Sequence, residues 1–170
     1  MGGYLFSIAL LMVLAVIESS LLPAALGDNL RPNLILIISA VWTAIRGSDG
    51  FALALGGGLL LDMMSSTPLG LTSLSLLLGN VVAGVLNRAP IPSQLLHSTT
   101  WVAIVTVVSH SILIAGLAIS GRQVNVVFAM VNVILPLLLL NPLIAIPVHV
   151  LAQVIDRQLR RPELQAGSVK

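Results

Sequence analysis

No cysteine stands anywhere in the chain, which excludes a disulfide framework, a thiolate nucleophile and a thiolate metal site. Charge is nearly as scarce: 8% of residues carry it, where a soluble domain has about a quarter. Eight Lys and Arg are too sparse for a nucleic-acid surface, so no nucleic-acid partner is expected. Aromatics make up 4%, too few to line a ligand pocket richly. What fills the sequence instead is apolar: 57% of residues are hydrophobic and the mean hydropathy is +1.07. A water-soluble fold of this size cannot hide so much apolar surface. A bilayer can, because a spanning helix needs about 20 apolar residues and satisfies its own backbone hydrogen bonds.

The apolar runs have helical rather than alternating texture, which predicts an all-α, polytopic membrane protein and not a barrel. Six spans are expected. Span 1 covers about Tyr4 to Leu22, a retained first helix since Met1 to Ile17 lacks the basic start of a signal peptide. Span 2, Leu34 to Ile45, and span 3, Phe51 towards Thr67, are short, with Arg46 to Gly50 as the turn between them. Span 4 covers Leu69 to Asn87, span 5 Thr99 to Ile119, and span 6 about Val124 to Val154. Pro136, Pro142 and Pro147 predict that the last one kinks or spans only in part. The expected division is one six-helix domain over residues 1–155 and a short, polar, fraying tail over 156–170. Six spans use this length and leave none for a soluble catalytic domain.

Orientation follows from the basic residues. With both termini in the cytoplasm, Arg46, Arg88, Arg157, Arg160, Arg161 and Lys170 lie inside, against Arg31 and Arg122 outside.

Few residues offer chemistry. Glu18 and Asp62 are the acids inside apolar segments, and each is a functional candidate by default. Their structural alternative is an interfacial place or an ion pair with Arg31 or Arg122. His110, between two serines at the middle of span 5, suits a proton relay or ligand contact; hydrogen bonding to a neighbouring helix is the plainer role. His97 and His149 are placed at the cytoplasmic border. Three scattered histidines without nearby acids do not make a metal site, and no cofactor is expected. Asn125 and Asn132 share a face of span 6 and are expected to bond across helices. The pairs Ala52 and Gly56, Ala54 and Gly58, and Gly79 and Ala83 permit close helix packing. The triplet from Gly56 to Gly58 is not a phosphate loop, since no Lys-Ser/Thr follows it.

The block from Arg31 to Leu86 carries a Pro-Asn-Leu entry to span 2, the Arg46-Gly47 turn with Gly50, a Gly-rich span 3, and Asp62 followed by Pro68, Leu69 and Gly70. In this order and spacing it resembles the bacterial rod shape-determining MreD family, over about a third of the chain. Ser65-Ser66 stands where many members look to have a glycine. The resemblance implies a non-enzymatic scaffold of the cell-elongation complex in the bacterial inner membrane. It implies work with MreC, with RodA and its penicillin-binding transpeptidase, and indirectly with the MreB filament. It marks Arg46, Gly47, Asp62, Pro68 and Gly70, beside Glu18 and His110, as structural or partner-binding candidates.

The family's fold is similar to the substrate-binding components of energy-coupling-factor vitamin transporters. That likeness supplies the alternative of a transport subunit for a vitamin or other small ligand. An enzyme acting on lipid-linked substrates would need polar groups converging at the membrane face, where Asp62 and Glu18 are the candidates.

Overall fold

The computed structural model describes residues 32–65, 67–86 and 93–167, with the side chains of the last helix as far as residue 158. Span 1, Glu18, Arg31 and Arg88 lie outside them. All regular structure among the described residues is helical: α1 (Leu34–Arg46), α2 (Ser48–Met64), α3 (Leu71–Leu86), α4 (Gln94–Ile119), α5 (Val126–Ala129), a π turn (Met130–Ile134) and α6 (Leu135–Gly167).

Each start and stop has a local cause. Asn33 caps α1 by accepting from the Leu36 N–H at 2.6 Å, which explains the Pro-Asn-Leu entry: a residue with a short acceptor side chain satisfies an orphan donor of the first turn. Gly47 ends α1 with φ +67°, a left-handed conformation that costs a side chain but not glycine. Its N–H closes the turn on the Thr43 carbonyl at 2.8 Å. At the other end of the molecule Gly70, φ +87°, admits the chain to α3.

The helices pack first with their chain neighbours, α1 on α2, α2 on α3 and α3 on α4. α4 also meets α1 and α6, and α1 meets α6, so these three form the centre with α2 and α3 on its flank. Two of the three small-residue pairs lie inside, as ordinary packing: Ala54, Gly58, Gly79 and Ala83 are buried, while Ala52 is exposed. A Cβ on Gly58 would fall 2.4 Å from the Ser73 Cα. Because the obstacle is backbone, Gly58→Ala is expected to destabilise the protein by about 2 kcal/mol, read as a lower melting temperature in detergent.

Two stretches, α4 and residues Val126–Gln158, are long and apolar enough to cross a membrane. The other three helices have 13, 17 and 16 residues, about 20, 26 and 24 Å at 1.5 Å per residue, short of a core of about 30 Å. The described residues therefore give five helical rods, two of them of spanning length, where five of the six expected spans were placed. The last rod stays helical through Pro136, Pro142 and Pro147, and the expected tail from Asp156 continues that helix to Gly167. The irregularity sits upstream, in the π turn. Pro136 crowds the carbonyl four residues before it, that of Asn132, and the widened turn gives that carbonyl room.

Candidate functional site

Asp62 occupies the last turn of α2 and is 2% exposed. Its carboxylate reaches across the turn to the start of α3. It accepts from the Gly70 N–H at 2.9 Å, from the Thr72 N–H at 3.1 and 3.2 Å, and from the Ser73 N–H at 3.4 Å. The Thr67 hydroxyl adds a fourth donor at 2.9 Å. The first N–H groups of any helix lack intrahelical partners and carry partial positive charge. Gly70, at the capping position, has no side chain to satisfy them, so Asp62 does so from the preceding helix. Pro68 completes the turn, its carbonyl accepting from Leu71 N–H at 3.1 Å. This is a structural role for Asp62, without the expected pairing to Arg122; Arg31, the other expected partner, lies outside the described residues. Among the described residues every hydrogen-bond partner of Asp62 is an uncharged donor of its own hairpin, where a helix start supplies several converging N–H groups.

At the opposite end of α2, Arg46 gathers the second cluster. Its Nε donates to Asp156 of α6 at 2.5 Å, its Nη1 lies 3.4 Å from Asp49, and its guanidinium stands 5.6 Å from the Trp42 ring centroid. The Arg46 and Asp156 side chains are only 22% and 13% exposed. Hydrogen bonding to Asp156 is the main cause that raises the Arg46 pKa above its ordinary value. Glutamine pairing between Gln94 and Gln153, 2.7 Å, lies at the same end.

The remaining sequence candidates separate from these clusters. His110 Nδ1 bonds the Thr106 carbonyl of its own helix at 2.8 Å, not a neighbouring helix: a carbonyl four residues back is within reach of any helical histidine. Asn125 caps α5 through the Phe128 N–H, and Asn132 donates to the Phe128 carbonyl; both are exposed. Neither crosses to another helix. His149 is 3% exposed, inside the helix interface.

Cross-helix hydrogen bonds fall instead to residues the sequence reading passed over. Trp101 Nε1 donates to Asn80 Oδ1 at 3.1 Å, Ser109 to the Ser75 carbonyl at 3.0 Å, Ser73 to the Leu55 carbonyl at 2.8 Å, and Asn141 to Thr106 Oγ1 at 3.1 Å. The signal was available: Asn80 and Asn141 are lone carboxamides inside apolar runs, the residues that hold membrane helices together.

Outside this polar interior the α2–α3 face carries an open groove of about 550 Å³, lined by Leu55, Leu59, Pro68, Leu69, Leu74 and Leu77 among others. The Ser73 hydroxyl at its wall is already engaged. Among the described residues no group of three or more His, Asp or Glu gathers at metal-binding distance. These arrangements hold helices together; neither cluster sets an acid, a base and a nucleophile around one point. No family model matches the chain, and no curated protein or solved structure does.

Proposed function

We propose that the chain is a multi-pass membrane protein that acts as a non-enzymatic scaffold of the MreD kind, holding cell-elongation partners together in the bacterial inner membrane. The observation that carries the membrane part is an inverted distribution of polarity. Large apolar side chains point outward along the helices, with Leu69 76%, Leu139 76% and Ile119 87% exposed, while Asp62, Asn80, Thr106 and Asn141 are buried. Water would reverse that arrangement; lipid favours it. The two long apolar stretches have just 22% and 17% of their most apolar windows buried, unlike the core helix of a soluble protein.

Six spans with both termini inside remain the topology of this proposal. Pairing of Arg46 with Asp156 and of Gln94 with Gln153 brings to one end the turns that the basic residues assign to the cytoplasm. Short spans accommodate by local thinning of the bilayer and by snorkelling of flanking side chains. The scaffold part rests on the block from Arg31 to Leu86. Its distinctive residues are the ones that set the ends of the first helices: Asn33 at the start of α1, Arg46 and Gly47 at the turn into α2, and Asp62, Pro68 and Gly70 at the turn into α3.

Reporter fusions after Arg46, Arg88 and Arg161 are expected to report cytoplasm, and fusions near Asp28 and Arg122 the outside. Depletion in a rod-shaped host is expected to give rounded cells, and the tagged protein to co-purify an MreC-like partner with RodA and its transpeptidase. Recovery of an ATPase module and a bound vitamin instead would establish the transport subunit. A periplasmic signal at Arg88 would overturn the topology.

A further inference from the structure

One seam of α6 is polar where it should be driest. Its buried positions, Leu137, Asn141, Ala145, His149, Ala152 and Asp156, recur every three or four residues and so form one stripe. That stripe faces α1 and α4, the helices on which α6 packs. Asp156 is matched by Arg46, but the two polar residues above it are not fully matched. Asn141 is 0% exposed and His149 3%, and Asn141 Oδ1 and His149 Nδ1 have no hydrogen-bond partner among the described residues.

The surroundings of the histidine follow from the register. α4 and α6 run antiparallel, tied by Gln94 to Gln153 and by Thr106 to Asn141, twelve residues apart on each helix. His149 lies four residues before Gln153, so the α4 residue at its level is the one four after Gln94, Ser98, which is 1% exposed. On α1, Ser39 precedes Arg46 by the same two turns by which His149 precedes Asp156. Ser39 is 0% exposed. Hydroxyl-bearing residues of both neighbouring helices therefore stand at the depth of the histidine.

Leaving a buried acceptor or imidazole nitrogen unpaired costs the full desolvation of that group. Water relieves this where a site is polar and supplies two or more partners. Water suits both atoms, because it donates to the Asn141 carbonyl oxygen and either donates to or accepts from His149 Nδ1, whichever tautomer the ring holds. Among the described residues the buried positions of α1, α4 and α6 carry no acidic or basic group other than His149 and Asp156, so a larger ligand has little there to anchor it.

We propose that the interface of α1, α4 and α6 holds buried water at two sites, one on Asn141 Oδ1 and one on His149 Nδ1, about 12 Å apart along the helix. The inference goes beyond the scaffold reading and does not depend on which partner the protein binds.

The test uses the full chain in lipid nanodiscs with 15N-labelled histidine, 13C-methyl-labelled valine and water-edited solid-state NMR. Three histidines are present, and His97→Gln and His110→Gln, substitutions outside the seam, assign the third set of ring signals to His149. Polarisation from water is expected to reach His149 Nδ1 as fast as it reaches His97, and several-fold faster than it reaches the buried methyls of Val102. For the upper site, 15N-labelled asparagine reads Asn141 directly, with Asn141→Leu assigning its side-chain amide signal. A watered site predicts that polarisation from water reaches this amide several-fold faster than it reaches the Val102 methyls; a dry, unpaired oxygen predicts that it does not. An Asn141 or His149 signal that builds up no faster than Val102 overturns the proposal.

Discussion

Asp62→Ala is expected to cost about 3 kcal/mol of stability, the sum of a lost cap and of buried donors left without acceptors. The carboxylate is the acceptor for the Gly70, Thr72 and Ser73 N–H groups and for the Thr67 hydroxyl. Alanine removes it from a position that is 2% exposed, where solvent cannot replace it. The measurements are melting temperature in detergent and protein level in membranes, both lower than wild type. Asp62→Asn keeps one acceptor oxygen and turns an NH2 group towards donors, so it should fall between wild type and alanine. An alanine variant that melts with wild type while the cells lose function would mean that the carboxylate works on a partner or substrate and not on α3.

Breaking the Arg46–Asp156 pair is the second large effect. Removal of one member of a fully buried pair costs several kcal/mol, and exposed pairs are worth little. At 22% and 13% exposure, either Arg46→Ala or Asp156→Ala should cost about 2 kcal/mol. Their combination should cost less than the two together, because no charge is then stranded. The exchange of Arg46→Asp with Asp156→Arg should recover part of the loss. If the single and double variants add simply, the contact contributes nothing and the turn is held by packing alone. Asp49, 3.4 Å away and 54% exposed, is the internal control: Asp49→Ala should leave melting within about 0.5 kcal/mol of wild type.

Much of the helix plan is legible in the sequence because glycine, proline and short polar side chains mark it locally. α1 was expected over Leu34 to Ile45 and runs to Arg46; α3 was expected over Leu69 to Asn87 and runs from Leu71 to Leu86. Asp62 was legible as a residue that secures its hairpin, since an acid beside a Pro-Leu-Gly turn must be satisfied nearby. Its actual partners were not, because backbone N–H groups are identical at every residue and leave no mark in composition. The Arg46–Asp156 pair could not be read either: its members are 110 residues apart, and helical periodicity gives the buried face of each helix but not which helix it meets. The same limit misplaced the cross-helix carboxamides. Asn125 and Asn132 share a face, and that face looks outward. The π turn ahead of Pro136 was not legible, because a proline marks where a helix is crowded but not how the turn widens to relieve it.

The two clusters differ in one further respect. Asp62 closes its contacts over at most eleven residues, whereas Arg46 waits for a side chain 110 residues downstream. A ribosome that has delivered α3 has already supplied everything the Asp62 turn requires, so the early hairpins can settle before the rest of the chain is made. Arg46, by contrast, has only Asp49 and the Trp42 ring near it at that stage, and its closest partner arrives with α6. Assembly thus has a built-in last step: a nascent chain halted before Asp156 lacks the bond that ties the end of α1 to α6.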